Sequence, residues 1–124
     1  MVKRYFTKLE EQINYFQSII NTYSITAKYY NSNKGFILGN ITFVDNSKLT
    51  FREVKDIEIN YKDKYSYHYM NSLEKMIFRY DNAYHYKELE TFPHHKHTST
   101  KIENSNEPEL IDILHEISKI LNKI

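Results

Sequence analysis

From Tyr65 to Asp81 the chain alternates with hardly a break: Tyr65-Ser66-Tyr67-His68-Tyr69-Met70, a polar turn, then Met76-Ile77-Phe78-Arg79-Tyr80-Asp81. Two consecutive runs with a period of two bury one side only if they pair as an antiparallel hairpin. With Asn71-Ser72-Leu73-Glu74 as the turn, Tyr69 is expected opposite Met76, Tyr67 opposite Phe78 and Tyr65 opposite Tyr80. All six then share one face, and Ser66, His68, Ile77, Arg79 and Asp81 share the other. In that register His68 lies diagonal to Arg79, within reach of a long side chain.

Other strand-like segments precede the hairpin. Ser24–Tyr30 alternates through Ile25, Ala27 and Tyr29. Gly35–Val44 is continuously β-rich, with Gly39 read as a bulge. Asp45-Asn46-Ser47-Lys48 is good turn chemistry. Leu49–Val54 turns Leu49 and Phe51 inward, and Ile57, Ile59 and Tyr61 extend the alternation. A helix flanks the run on each side. Phe6, Leu9, Ile13, Phe16 and Ile20 line one face of the first, and Leu110, Ile113, Leu114, Ile117, Ile120, Leu121 and Ile124 define the second. Ser105 or Asn106 is placed to cap the second helix, with Pro108 in its first turn. The expectation is a single α+β domain over residues 1–124. It is an antiparallel meander of about five strands, with both helices on one face and the other face at least partly free.

Composition removes several functions. With no cysteine in 124 residues, thiolate metal sites, thiol nucleophiles and disulfide scaffolds are excluded. Two glycines and two prolines argue against disorder, and twelve tyrosines suit surfaces that are half core and half contact. No apolar run reaches membrane-spanning length and the first residues do not read as a signal sequence, so a cytoplasmic protein with no membrane partner is expected. A net charge of +1 gives no global attraction to nucleic acid.

Four of the six histidines fall in one short stretch, as His85, His94, His95 and His97, beside Arg79, Asp81 and Lys96. If Phe92-Pro93-His94-His95-Lys96-His97 is extended, His95 and His97 point one way and His94 and Lys96 the other. Three readings compete. A metal site fits imidazole chemistry, but the spacing matches no standard zinc pattern, and neither metal nor cofactor is expected. Acid–base chemistry fits groups that titrate near neutrality. Metal-free RNA cleavage needs one proton acceptor, one donor and a cation on the phosphorane, which Arg79, Lys96 or Arg52 can supply. The third reading is a solvated loop pinned to the sheet by its imidazoles.

The segment Tyr65–His97 resembles the signature region of the TumE-like family of small toxins from prokaryotic toxin–antitoxin systems. Its Tyr-x-Tyr-His-Tyr strand is found here as Tyr65–Tyr69, Phe-Arg-Tyr-Asp-Asn-Ala as Phe78–Ala83, and Thr-Phe-Pro-His-His-Lys-His as Thr91–His97. Leu49-Thr50-Phe51-Arg52-Glu53 and Glu107-Pro108 also fit. The family typically has a proline before the first histidine of its linking segment and a second histidine after it, where this chain has Tyr84-His85-Tyr86. The resemblance implies a toxin paired with a helix-turn-helix antitoxin, and homo-oligomers are compatible with it.

Together these point to a metal-independent endoribonuclease. Its acid–base pair is His68 with one of His94, His95 or His97, and His85 is a further candidate. Arg79 clamps phosphate, and Asp81 or Glu53 orients a partner. Arg52, Glu53, Lys96, Tyr69 and Tyr80 are expected to contact the RNA substrate. The alternatives are a non-catalytic RNA- or protein-binding module and a histidine-based metal protein.

Overall fold

A computed structural model describes residues 1–122. Helix α1, Val2–Tyr15, is followed by a 3-10 turn and seven strands: β1 Ile20–Tyr29, β2 Lys34–Phe43, β3 Lys48–Asp56, β4 Lys64–Met70, β5 Met76–Asp81, β6 His95–Thr98 and β7 Ile102–Asn104. Helix α2, Leu110–Leu121, is the last element described. The strands form one antiparallel sheet in sequence order. Among the described residues no helix is long and apolar enough to cross a membrane.

Both helices lie on one face. Val2, Phe6, Leu9 and Ile13 of α1 and Leu110, Ile113, Leu114 and Ile117 of α2 meet the inward sides of β2 to β5: Ile37, Ile41, Phe43, Leu49, Phe51, Tyr65, Tyr67, Tyr69 and Phe78. The α+β class and the single-face helix layer follow the sequence expectation. The strand count does not. It is seven rather than about five, because the histidine run is itself strand β6 and Ile102–Asn104 pairs beside it.

The hairpin register also shifts by two: Tyr69 faces Phe78 and Tyr67 faces Tyr80. An even shift preserves which face each side chain occupies, but it sets His68 directly opposite Arg79 instead of diagonal to it. Ile57, Ile59 and Tyr61 do not continue β3, whose last partner on β2 is Lys34, opposite Asp56. Ile20 belongs to β1, not to the first helix. Gly39 sits in unbroken pairing, between Ile25 and Phe51, so it is not a bulge. A Cβ there would lie 2.1 Å from the Phe51 ring, which fills the space that the missing side chain leaves.

Helix α2 starts later than expected. Glu109 is its N-cap, and the Asp112 carboxylate accepts the Glu109 backbone N–H at 2.9 Å. The leader to this helix is held by Lys62, which is 2% exposed. Its ammonium donates to the Pro108 carbonyl and lies 3.5 Å from the Glu109 carboxylate, with the Tyr65 and Tyr67 rings beneath it. Ile124, assigned to the apolar stripe of α2 from sequence, lies outside the described residues.

Candidate active site

On the face away from the helices, cross-strand pairing lines up two rows. The first runs Arg52, Ser66, Asp81, His95 across β3, β4, β5 and β6. The second runs Thr50, His68, Arg79, His97 across the same strands. Directly paired residues share a face, so the pleat alone sets two imidazoles on either side of one guanidinium. The strand β6 alternation expected from sequence holds: His95 and His97 join this face, while Lys96 turns to the helices.

Asp81 is the centre of the first row and is 6% exposed. Its Oδ2 forms an ion pair with Arg79 Nε at 3.1 Å, and its Oδ1 lies 2.8 Å from His95 Nε2. His97 Nε2 is 3.9 Å from Oδ2. The His95 and His97 rings meet edge to face at 4.8 Å, and Tyr86 packs edge-on against both, at 5.1 and 5.7 Å. His95 Nδ1 is 2.9 Å from the Pro93 carbonyl. A carbonyl only accepts, so Nδ1 carries a proton. The guanidinium is about half exposed, whereas His95 is sealed.

Burial lowers the pKa of His68, and the guanidinium groups of Arg79 and Arg52 add to the effect. His97 is also lowered, first by burial and then by His95, with Asp81 acting in the opposite direction. Beside the rows is a cleft of about 620 Å³ that includes Arg52, Ser66, Arg79, Asp81 and Tyr84 in its lining.

The other residues singled out in the sequence lie elsewhere. Glu53 is buried on the helix side, where it accepts hydrogen bonds from Tyr5 and Tyr67, and desolvation raises its pKa. Tyr69 is fully buried and donates to Ser47. Tyr80 donates to Glu116 of α2 at 2.6 Å; burial pushes its pKa up to about 12. Lys96 pairs with the same carboxylate at 2.9 Å. His94 stacks on Tyr65 and shares a 2.8 Å hydrogen bond with its hydroxyl. His85 is exposed, next to Tyr86. So the open face brings together His68, Arg79, Asp81, His95, His97 and Arg52. Glu53, Tyr80 and Lys96 tie the sheet to the helices through Tyr5 and Glu116, while Tyr69 and His94 are held on the same side by Ser47 and Tyr65.

Sequence reasoning passed over Tyr86 and Tyr84. The one signal for Tyr86 is its neighbourhood, Tyr84-His85-Tyr86. Its backbone is left-handed, at φ 59°, a rare conformation for an aromatic residue that turns the ring back over β6.

The molecule is thus a small α+β protein with one helix-covered sheet face and one open face carrying an Asp–Arg–His cluster. A family model described as Toxin TumE matches residues 8–124, and the chain belongs to that toxin family. Membership implies in general an antitoxin partner. No curated protein and no solved structure matches it.

Proposed function

We propose that this toxin is a cytoplasmic, metal-independent endoribonuclease whose acid–base pair is His68 and His97, held in check by a helix-turn-helix antitoxin. One observation carries the reading: the cross-strand row His68–Arg79–His97 on the open face. Neighbouring strands are about 4.8 Å apart, so the two imidazoles are anchored about 10 Å apart with the guanidinium midway. A phosphodiester on Arg79 has one ring on each side. One removes the proton of the 2′-hydroxyl while the other protonates the leaving 5′-oxygen, and the guanidinium stabilises the phosphorane. Asp81 holds Arg79 through its Nε, leaving the terminal nitrogens free for phosphate. His95 is too deeply buried, and His94 too firmly held by Tyr65, to reach the same phosphate.

The test is incubation of untagged protein with total RNA in chelator. Cleavage is expected, with His68→Ala and His97→Ala each losing roughly 10²- to 10⁴-fold. Intact RNA at every protein concentration refutes the proposal.

A second reading is favoured by the cleft beside Arg52 and Tyr84, which offers a cation and an exposed ring to an unpaired base. A module that only holds RNA keeps inhibiting growth after loss of either histidine. It fails when Arg52 and Arg79 are changed together.

A further inference from the structure

The His95 ring presents a problem that acid–base catalysis at His97 does not solve. Its Nδ1–H is committed to the Pro93 carbonyl. Its Nε2 is completely buried and makes no hydrogen bond among the described residues, although Asp81 Oδ1 is only 2.8 Å away. The distance suits a hydrogen bond, but the direction does not. A neutral ring here sets a nitrogen lone pair against a carboxylate oxygen in a buried site. Two acceptors held this close need a cation that both can share. A proton on Nε2 would be badly aligned, whereas a metal ion can accept both donors at once.

The third donor is at hand. Asp81, His95 and His97 each offer a ligand atom, and the three atoms lie within 4.8 Å of one another. In a tetrahedral site with bonds of 2.0–2.1 Å, ligand atoms are about 3.3 Å apart. The two imidazoles approach different oxygens of the carboxylate, His95 Nε2 lying 2.8 Å from Oδ1 and His97 Nε2 3.9 Å from Oδ2, one inside and one outside that value, so a small turn of the partly exposed His97 ring completes the set. The surroundings are those of a ligand set. Pro93 fixes the His95 tautomer, Arg79 orients the carboxylate through Oδ2, and Tyr86 packs edge-on against both rings.

We infer that Asp81, His95 and His97 form a binding site for one divalent transition-metal ion of the zinc, nickel or copper class. Two imidazoles and a carboxylate suit that class, and the absence of thiolate disfavours softer ions. The neighbouring guanidinium opposes a second cation, so the site is of moderate affinity and reversible. Three protein ligands leave one position for an oxygen donor arriving over the open face.

The consequence for cleavage rests on the function proposed above. A bound ion takes the His97 lone pair and removes that ring from acid–base work. Metal would then act as an inhibitor rather than a cofactor.

The experiment uses the untagged full chain, stripped with chelator and dialysed. Cobalt(II) is titrated while its visible absorption is followed, and zinc is then added in competition. One equivalent per chain is expected. His97→Gln, at a partly exposed position, should weaken binding at least tenfold while His115→Ala leaves it unchanged. Circular dichroism confirms that each variant is folded. Absence of stoichiometric binding, or binding equally tight in His97→Gln, overturns the site. Cleavage is measured separately, with and without one equivalent of zinc. RNA left intact in chelator refutes the nuclease reading and leaves the binding result standing. Cleavage in chelator that zinc does not reduce overturns the inhibitory role.

Discussion

At the scale of single residues, three positions act through what they exclude or hold. Gly39 leaves room for the Phe51 ring, which is fully buried against the Tyr67 ring. Any side chain at 39 must displace it. Gly39→Ala is therefore expected to destabilise the fold by about 1–3 kcal/mol, the usual cost of overpacking, read from the urea midpoint. An unchanged midpoint would mean that the ring yields freely. Lys62 is buried because its stem covers the Tyr65 and Tyr67 rings while its ammonium finds a carbonyl and a carboxylate. In the sequence it looks like one more surface lysine, since nothing local marks a charge whose partners lie 46 residues along the chain. The members of the two rows were legible as types, and their facing followed from alternation. That Asp81 would hold Arg79 and lie against His95 was not, because the pairing of β6 with β5 could not be inferred from either strand alone.

At the scale of elements, the hairpin was legible because tyrosine and phenylalanine alternate over both of its arms. Its register was misplaced by two because two one-residue offsets add: the Asn71–Lys75 turn closes one residue later than a tight turn would, with Asn71 N–H bonded to the Lys75 carbonyl, and the ladder slips by one more residue between Tyr69 and Met70. Strand β6 hid behind Pro93 and a polar Thr-Ser-Thr tail. Strand β7 is three residues long and too short to display a period. The false extension at Ile57–Tyr61 has the right alternation but no ladder partner, since β2 starts at Lys34 and β4 takes over at Lys64. The start of α2 shows the same dependence on context: two good capping residues, Ser105 and Asn106, are bypassed for Glu109, which Lys62 holds in place. Asp112 completes that cap from an exposed position. Asp112→Ala should cost about 1 kcal/mol, through a lost cap hydrogen bond and a lost charge at the positive helix end. Asp112→Asn should cost less, because it keeps the acceptor. Equal midpoints for both variants and the parent in urea would show that Lys62 alone sets the helix start.

At the scale of the whole molecule, the open face gives stability a pH dependence with a definite sign. Burial lowers the folded pKa of His68 below the usual 6.5, and the charges of Arg79 opposite it and of nearby Arg52 add to the effect. The unfolded chain then binds a proton that the folded chain resists. Stability contributed by neutral His68 is present above pH 6.5 and is lost as the pH falls toward the lowered folded value. Glu53, with its raised pKa, works in the opposite direction. The clean comparison is therefore between the parent and His68→Gln, which share Glu53. The parent should lose more stability than the variant between pH 7 and pH 5, as measured by urea unfolding. Parallel curves would show that His68 does not carry this dependence. The serial strand order has a temporal corollary of its own. Each strand lies next to the one made just before it, so the sheet can grow at the pace of translation. The β6 histidines join late, and the strap from Lys96 to Glu116 fastens only once the closing helix has left the ribosome. On the function proposed above, the acid–base pair is therefore incomplete until β6 has joined the sheet.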